Sequence, residues 1–140
     1  MVTAIQELLN IQKKVSTCSN GEKKETGNGQ LRIPHSVKVD GQHVLVADRE
    51  NSRLQVFDLK GKFISGMNVG DRIGRLFSLT VGRDGKIYLS GMKQEGGGTL
   101  VLSPELKIIA ELATGGHDVA VDSKGGDLCR ERVQCCEVHA

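Results

Sequence analysis

Three segments of this 140-residue chain share one pattern: Ser36-Val37-Lys38-Val39, Ser78-Leu79-Thr80-Val81 and Asp118-Val119-Ala120-Val121. The residue before each, His35, Phe77 and His117, falls in a single column at steps of 42 and 40 residues. A self-similar period near 40 residues is that of a propeller blade, one small antiparallel sheet per repeat. Such a unit cannot bury its apolar face alone, so the repeat commits the chain to stacked sheets.

Within the first unit, Val37 and Val39 and then Val44 and Val46 alternate with polar residues across Asp40-Gly41, a hairpin signal. Strands at 54–57 and 62–65 follow, joined by Asp58-Leu59-Lys60-Gly61. The second unit repeats the order at 78–81, 86–90, 99–102 and 107–112, with Asp84-Gly85 where Asp40-Gly41 stood and a looser turn expected at Gly96-Gly97-Gly98. A third unit opens at 118–122 and loses its alternation after Ser123-Lys124-Gly125. The prediction is an all-β chain: two four-stranded antiparallel blades plus part of a third over residues 27–125. Residues 1–26 read as an amphipathic helix, with Ala4, Ile5, Leu8, Leu9, Ile11 and Val15 at helical spacing, and a linker. Residues 126–140 read as an irregular tail. The abrupt change near 125–128 suggests a shifted reading frame, and the whole suggests a fragment or decaying copy of a longer propeller.

Eighteen glycines against 3% aromatic residues and no tryptophan favour many short strands and turns. Nineteen basic and 17 acidic residues are interspersed, giving a net charge of +2 without a basic stripe, so nucleic acid is not the expected partner. No apolar run is long enough for a membrane span, and Gln6, Glu7, Asn10 and Gln12 interrupt any secretory leader, so a cytoplasmic location is expected as written, although a longer parent could be secreted. Cys18, Cys129, Cys135 and Cys136 lack Cys-x-x-Cys spacing and read as free thiols.

The run Val46-Ala47-Asp48-Arg49-Glu50-Asn51-Ser52-Arg53-Leu54-Gln55-Val56-Phe57-Asp58 resembles the NHL repeat. Taken with Pro34-His35-Ser36, it is similar to the lyase domain of peptidylglycine α-amidating enzymes, the peptidylamidoglycolate lyase family, over residues 27–125. The resemblance implies a six-bladed propeller with zinc on its axis, held by three histidines from alternating blades, and cleavage of peptidyl-α-hydroxyglycine to a peptide amide and glyoxylate. It maps His35 and His117 to zinc ligands, Asp118 to a residue of a structural calcium site, and Arg49 to the substrate cleft. His117 lies in Gly116-His117-Asp118, where the family has proline before the histidine. The family's third histidine and its upstream catalytic tyrosine and arginine have no counterpart, since no histidine precedes His35. Lyase activity and tight zinc binding are therefore not expected of this chain alone.

Plainer readings stand beside these. His35 and His117 could be hydrogen-bonded strand-end residues, His43 and His139 solvated surface groups, and Asp48 and Asn51 turn scaffold. Tyr88 sits where alternation makes it a packing residue. The alternative function is a non-enzymatic NHL module that docks a protein partner rather than a peptide substrate.

Overall fold

A computed structural model describes residues 26–121, 127–130 and 134–137 of the protein. Strands β1 (Pro34–Val39), β2 (His43–Asp48), β3 (Arg53–Asp58) and β4 (Phe63–Asn68) form one antiparallel sheet in sequential order. A second sheet of identical topology follows: β5 (Arg75–Val81), β6 (Ile87–Lys93), β7 (Gly96–Leu102) and β8 (Ile108–Leu112). Two four-stranded meanders in tandem are two propeller blades. The protein is a partial β-propeller.

Each blade begins with a hairpin fixed by its Asp-Gly pair. Asp40 Oδ1 accepts from the amides of Gln42 at 3.1 Å and His43 at 2.8 Å, and Gly41 supplies the positive φ of 99° that the reversal needs. Asp84 Oδ1 accepts from the Lys86 amide at 3.1 Å, with Gly85 at φ 80°.

The core lies between the blades. Leu45, Ala47, Leu54 and Val56 of the first pack against Leu76, Leu79, Leu89 and Leu100 of the second, all at least 95% buried. The opposite face of the first blade gathers Leu31, Val44, Val46 and Phe57, and that of the second gathers Tyr88, Val101 and Val119. Both faces of the central strands are therefore covered, so Leu45 and Ala47 are as deeply buried as Val44 and Val46. At roughly 1.5–3 kcal/mol for each large aliphatic side chain removed from water, this interlocking is the main source of stability.

Four differences from the sequence reading have physical causes. A short helix, α1 (Gly70–Ile73), joins the blades; four residues are too few for any helical periodicity to show. Gly96-Gly97-Gly98 is not a loose turn. Lys93 pairs with Gly96, so Gln94-Glu95 make the reversal and all three glycines lie in β7. A Cβ on Gly98 would stand 2.8 Å from the Ile73 side chain, so the missing side chain makes room for its neighbour. The end of the expected linker is docked: the Arg53 guanidinium donates to the carbonyls of Thr26, Gly27 and Gln30. Lastly, the stretch read as an irregular tail contains strands. β9 (Ala120–Val121) pairs with β10 (Asp127–Arg130), which pairs with β11 (Gln134–Glu137), giving the third unit a three-stranded sheet. The expected N-terminal helix lies outside the described residues. No helix among them is long and apolar enough to cross a membrane.

Candidate functional site

The column of His35, Phe77 and His117 is built by backbone register. In the first blade Pro34 pairs with Asp48 and Ser36 with Ala47, which leaves His35 as the extra residue of a bulge. In the second, Leu76 pairs with Gly91 and Ser78 with Ser90, leaving Phe77 as the extra residue at the equivalent place. A bulge bends its strand and re-aims the unpaired side chain. Both rings are thereby carried out of their own sheets to one shared point.

His117 arrives there from the loop before β9. Its entry is pinned by Asp118, whose Oδ1 accepts from Ser78 Oγ at 2.7 Å and from the Val119 amide at 2.8 Å. The three rings meet edge to face or tilted: His35 to His117 at 4.7 Å between centroids, Phe77 to His117 at 4.9 Å and His35 to Phe77 at 5.3 Å. His35 Nδ1 lies 2.7 Å from the Phe77 carbonyl oxygen. A carbonyl only accepts, so Nδ1 carries a proton, and Nε2 is the nitrogen that holds the lone pair when the ring is in its neutral form.

Arg49, on the β2–β3 turn, completes the cluster. Its Nε donates to Glu50 Oε1 at 3.1 Å, and its Cζ lies 5.5 Å from the Phe77 ring centroid, within cation–π range. The structure thus brings His35, His117 and Arg49 together around Phe77. Asp118 stands next to them in sequence but serves as a strut between the second blade and the third unit. Glu50, which orients Arg49, was not singled out by sequence, because a carboxylate inside a polar turn carries no distinguishing signal.

The donor set falls short of either implied metal. Catalytic zinc takes three protein ligands and an open position. Here two imidazoles adjoin, and among the described residues no three His, Cys, Asp or Glu side chains group as a metal site. Calcium asks for six to eight oxygen ligands. Asp118 contributes one carboxylate, with Oδ1 already engaged twice. His35 does have the arrangement of a metal-binding histidine, with Nδ1–H on a backbone carbonyl and Nε2 free to coordinate.

Asp48 has a structural place. Fully buried, it accepts from the Arg32 amide at 2.7 Å, Asn51 Nδ2 at 2.8 Å and Arg53 Nε at 2.8 Å. Tyr88 is 4% exposed in the cluster with Val101 and Val119, and burial, reinforced by Asp84, raises the pKa of its phenol. It is a packing residue.

Comparison with known proteins supports the repeat and the fold. The NHL repeat model matches residues 31–57, the turn-bearing part of the first blade. Among solved structures, hydrazine synthase from Kuenenia stuttgartiensis superposes with a TM-score of 0.58 at 14% identity, over 79% of this chain and 30% of that one. A protein of unknown function from Bacteroides caccae superposes with a TM-score of 0.50 at 9% identity, over 68% and 36% respectively. The chain spans about a third of the length of these structures, and the likeness is one of fold alone. No curated protein matches the sequence. The lyase resemblance rests on the sequence motifs.

Proposed function

We propose that this chain is a section of a lyase-type NHL propeller, carrying part of an axial ligand site, and that by itself it does not turn over peptidyl-α-hydroxyglycine. The observation that supports this reading most is the meeting of His35 and His117 at 4.7 Å, from the β1 bulge of the first unit and the loop before β9 of the third, with Phe77 of the second beside them. Side chains from alternate blades converge in this way on a propeller axis. Hydrogen bonding to the Phe77 carbonyl holds the His35 proton at Nδ1 and leaves Nε2 for a ligand. Arg49, over the Phe77 ring and steadied by Glu50, adds guanidinium donors to which the anionic end of a peptide would be attracted. Among the described residues no third nitrogen donor stands at the same point.

The test is a zinc titration of the full chain followed by the imidazole proton resonances, with lyase turnover assayed in parallel. His35 and His117 should shift together, with weak affinity, and H35A should abolish the response of His117. No glyoxylate should form. Turnover by the purified chain overturns the statement that it is inactive alone. If His35 and His117 do not respond to zinc, the lyase-type reading is wrong, and the alternative of a non-enzymatic NHL module takes its place.

A further inference from the structure

A pocket of about 460 Å³ opens beside the ring cluster, at the junction of the two blades, with neither histidine in its wall. Its walls include Ser52 from the β2–β3 turn, Arg75 and Phe77 from β5, Met92 and Lys93 from the end of β6, and Gln94 from the turn after it. These elements are held close by Gly74, at φ 74°, where any Cβ would collide with the Met92 carbonyl. Two features give the pocket a chemical character. Phe77 and Met92 offer an aromatic ring and a polarisable thioether to an apolar body. Arg75 and Lys93 offer two cations.

Those cations are only partly neutralised among the described residues. Arg75 reaches Glu50 at 3.8 Å, longer than a hydrogen bond, and Glu50 Oε1 already accepts from Arg49 at 3.1 Å. The Arg75 side chain is 62% exposed, so its planar fork of five N–H donors is accessible. Lys93 donates to the neutral Asp71 carbonyl at 2.7 Å, which leaves its charge uncancelled and two donors in hand. No carboxylate side chain is in the wall.

We infer that this pocket binds an organic carboxylate with an aromatic or aliphatic body, the carboxylate on Arg75 and Lys93 and the body against Phe77 and Met92. The guanidinium fork pairs bidentately with a carboxylate, and the apolar walls Phe77 and Met92 favour an organic acid over an inorganic anion. Neither histidine lines the pocket, which shares Phe77 with the imidazole cluster. The same chemistry is offered by a free organic acid and by a peptide with a free C-terminal carboxylate following an apolar residue.

The experiment follows the ¹³C-methyl resonances of methionine in the full chain. Met92 lines the pocket, whereas Met67 packs on the core between the blades and reports the fold. Phenylacetate should shift the Met92 methyl saturably and leave Met67 in place. R75Q should weaken that binding by about tenfold, the loss of one charge-assisted contact, and R75Q with K93Q should weaken it further. Acetyl-Gly-Phe binding more tightly than phenylacetate identifies a peptide terminus as the natural ligand; equal or weaker binding identifies a free acid. The inference is overturned if Met92 does not respond, if neutral phenylacetamide or inorganic phosphate shifts it as strongly as phenylacetate, or if R75Q leaves the affinity unchanged while Met67 reports an intact fold. H117F keeps a ring packed against Phe77 and removes one imidazole, so it should leave phenylacetate binding intact while removing the paired imidazole response to zinc, and the two readings fail separately.

Discussion

The two complete blades have the same strands, order and bulges, yet they solve one position in opposite ways. At the turn end of the second and third strands, the first blade pairs Asp48 with Arg53, and the second pairs Gly91 with Gly98. Around Asp48 and Arg53 a buried polar network fastens the chain that enters the blade, residues 26–32. Around Gly91 and Gly98 the same place is filled by Ile73 from the connecting helix, fully buried and close enough that a Cβ on either glycine would strike it. One entry segment is tied by charge, the other plugged by an apolar side chain. The stretch that matches the NHL repeat, residues 31–57, contains the Asp48–Arg53 turn, and the second blade keeps the geometry without that turn.

The comparison breaks most readily at Asp48. Replacing it with alanine leaves Arg53, 14% exposed, without its carboxylate and orphans the Arg32 amide. D48A should cost about 3–5 kcal/mol, as expected for one partner of a buried pair. Urea unfolding measures the loss, and faster amide exchange at Gly29 and Arg32 would show that the entry segment is released first. A loss under about 1 kcal/mol would mean that Leu31 and the hydrogen bonds from Arg53 and Gln55 hold that segment without Asp48.

The matching change in the second blade is I73A. Truncating this fully buried side chain should cost about 2–4 kcal/mol, a transfer-plus-cavity loss, with no dependence on salt. Filling the space from the other side is the subtler probe. G98A sets a methyl 2.8 Å from the Ile73 side chain, and the expected penalty is about 1–3 kcal/mol from overpacking. Combined with I73A, G98A should cost less than the two changes added, since each relieves the other. A double-mutant cycle reads that coupling directly.

The smallest effect is expected where the blades agree. Burial works to raise the Asp40 pKa, but the backbone amides of His43 and Gln42 and the His43 ring outweigh it, so the folded value lies below the ordinary aspartate value. Asp84 is lowered likewise by Lys86 against its own burial. A depressed carboxylate stabilises the fold above its unfolded pKa, and the contribution fades as pH falls through the folded value. Both groups are largely exposed, so D40N and D84N should each cost well under about 1 kcal/mol at neutral pH. The cost should vanish as pH falls below the ordinary aspartate range, and unfolding midpoints followed from pH 7 to 2 check it.

Much of this protein follows from local chemistry. Period-two alternation, paired Asp-Gly turns and the 40-residue repeat determine two antiparallel meanders and a third unit, because each depends only on residues near one another in the chain. The column of His35, Phe77 and His117 is likewise visible from the repeat, and Asp48 is legible as scaffold because its turn has a recognisable shape.

Other features were decided only by tertiary structure. Which residue becomes the bulge depends on how a strand pairs with its neighbour, so the aim of His35 and Phe77 is not written in either strand. Strands β10 and β11 lack apolar alternation and exist through their partners. Helix α1 is too short to announce itself, and the three glycines of β7 read as a turn until Ile73 is seen to need the space. A pattern along the chain records what each residue prefers, whereas a site is made where residues distant in sequence are forced to share one volume. Phe77 shows the two levels together: its place in the column comes from the repeat, and its neighbours His117, Arg49 and the pocket beyond come from the stacking of blades.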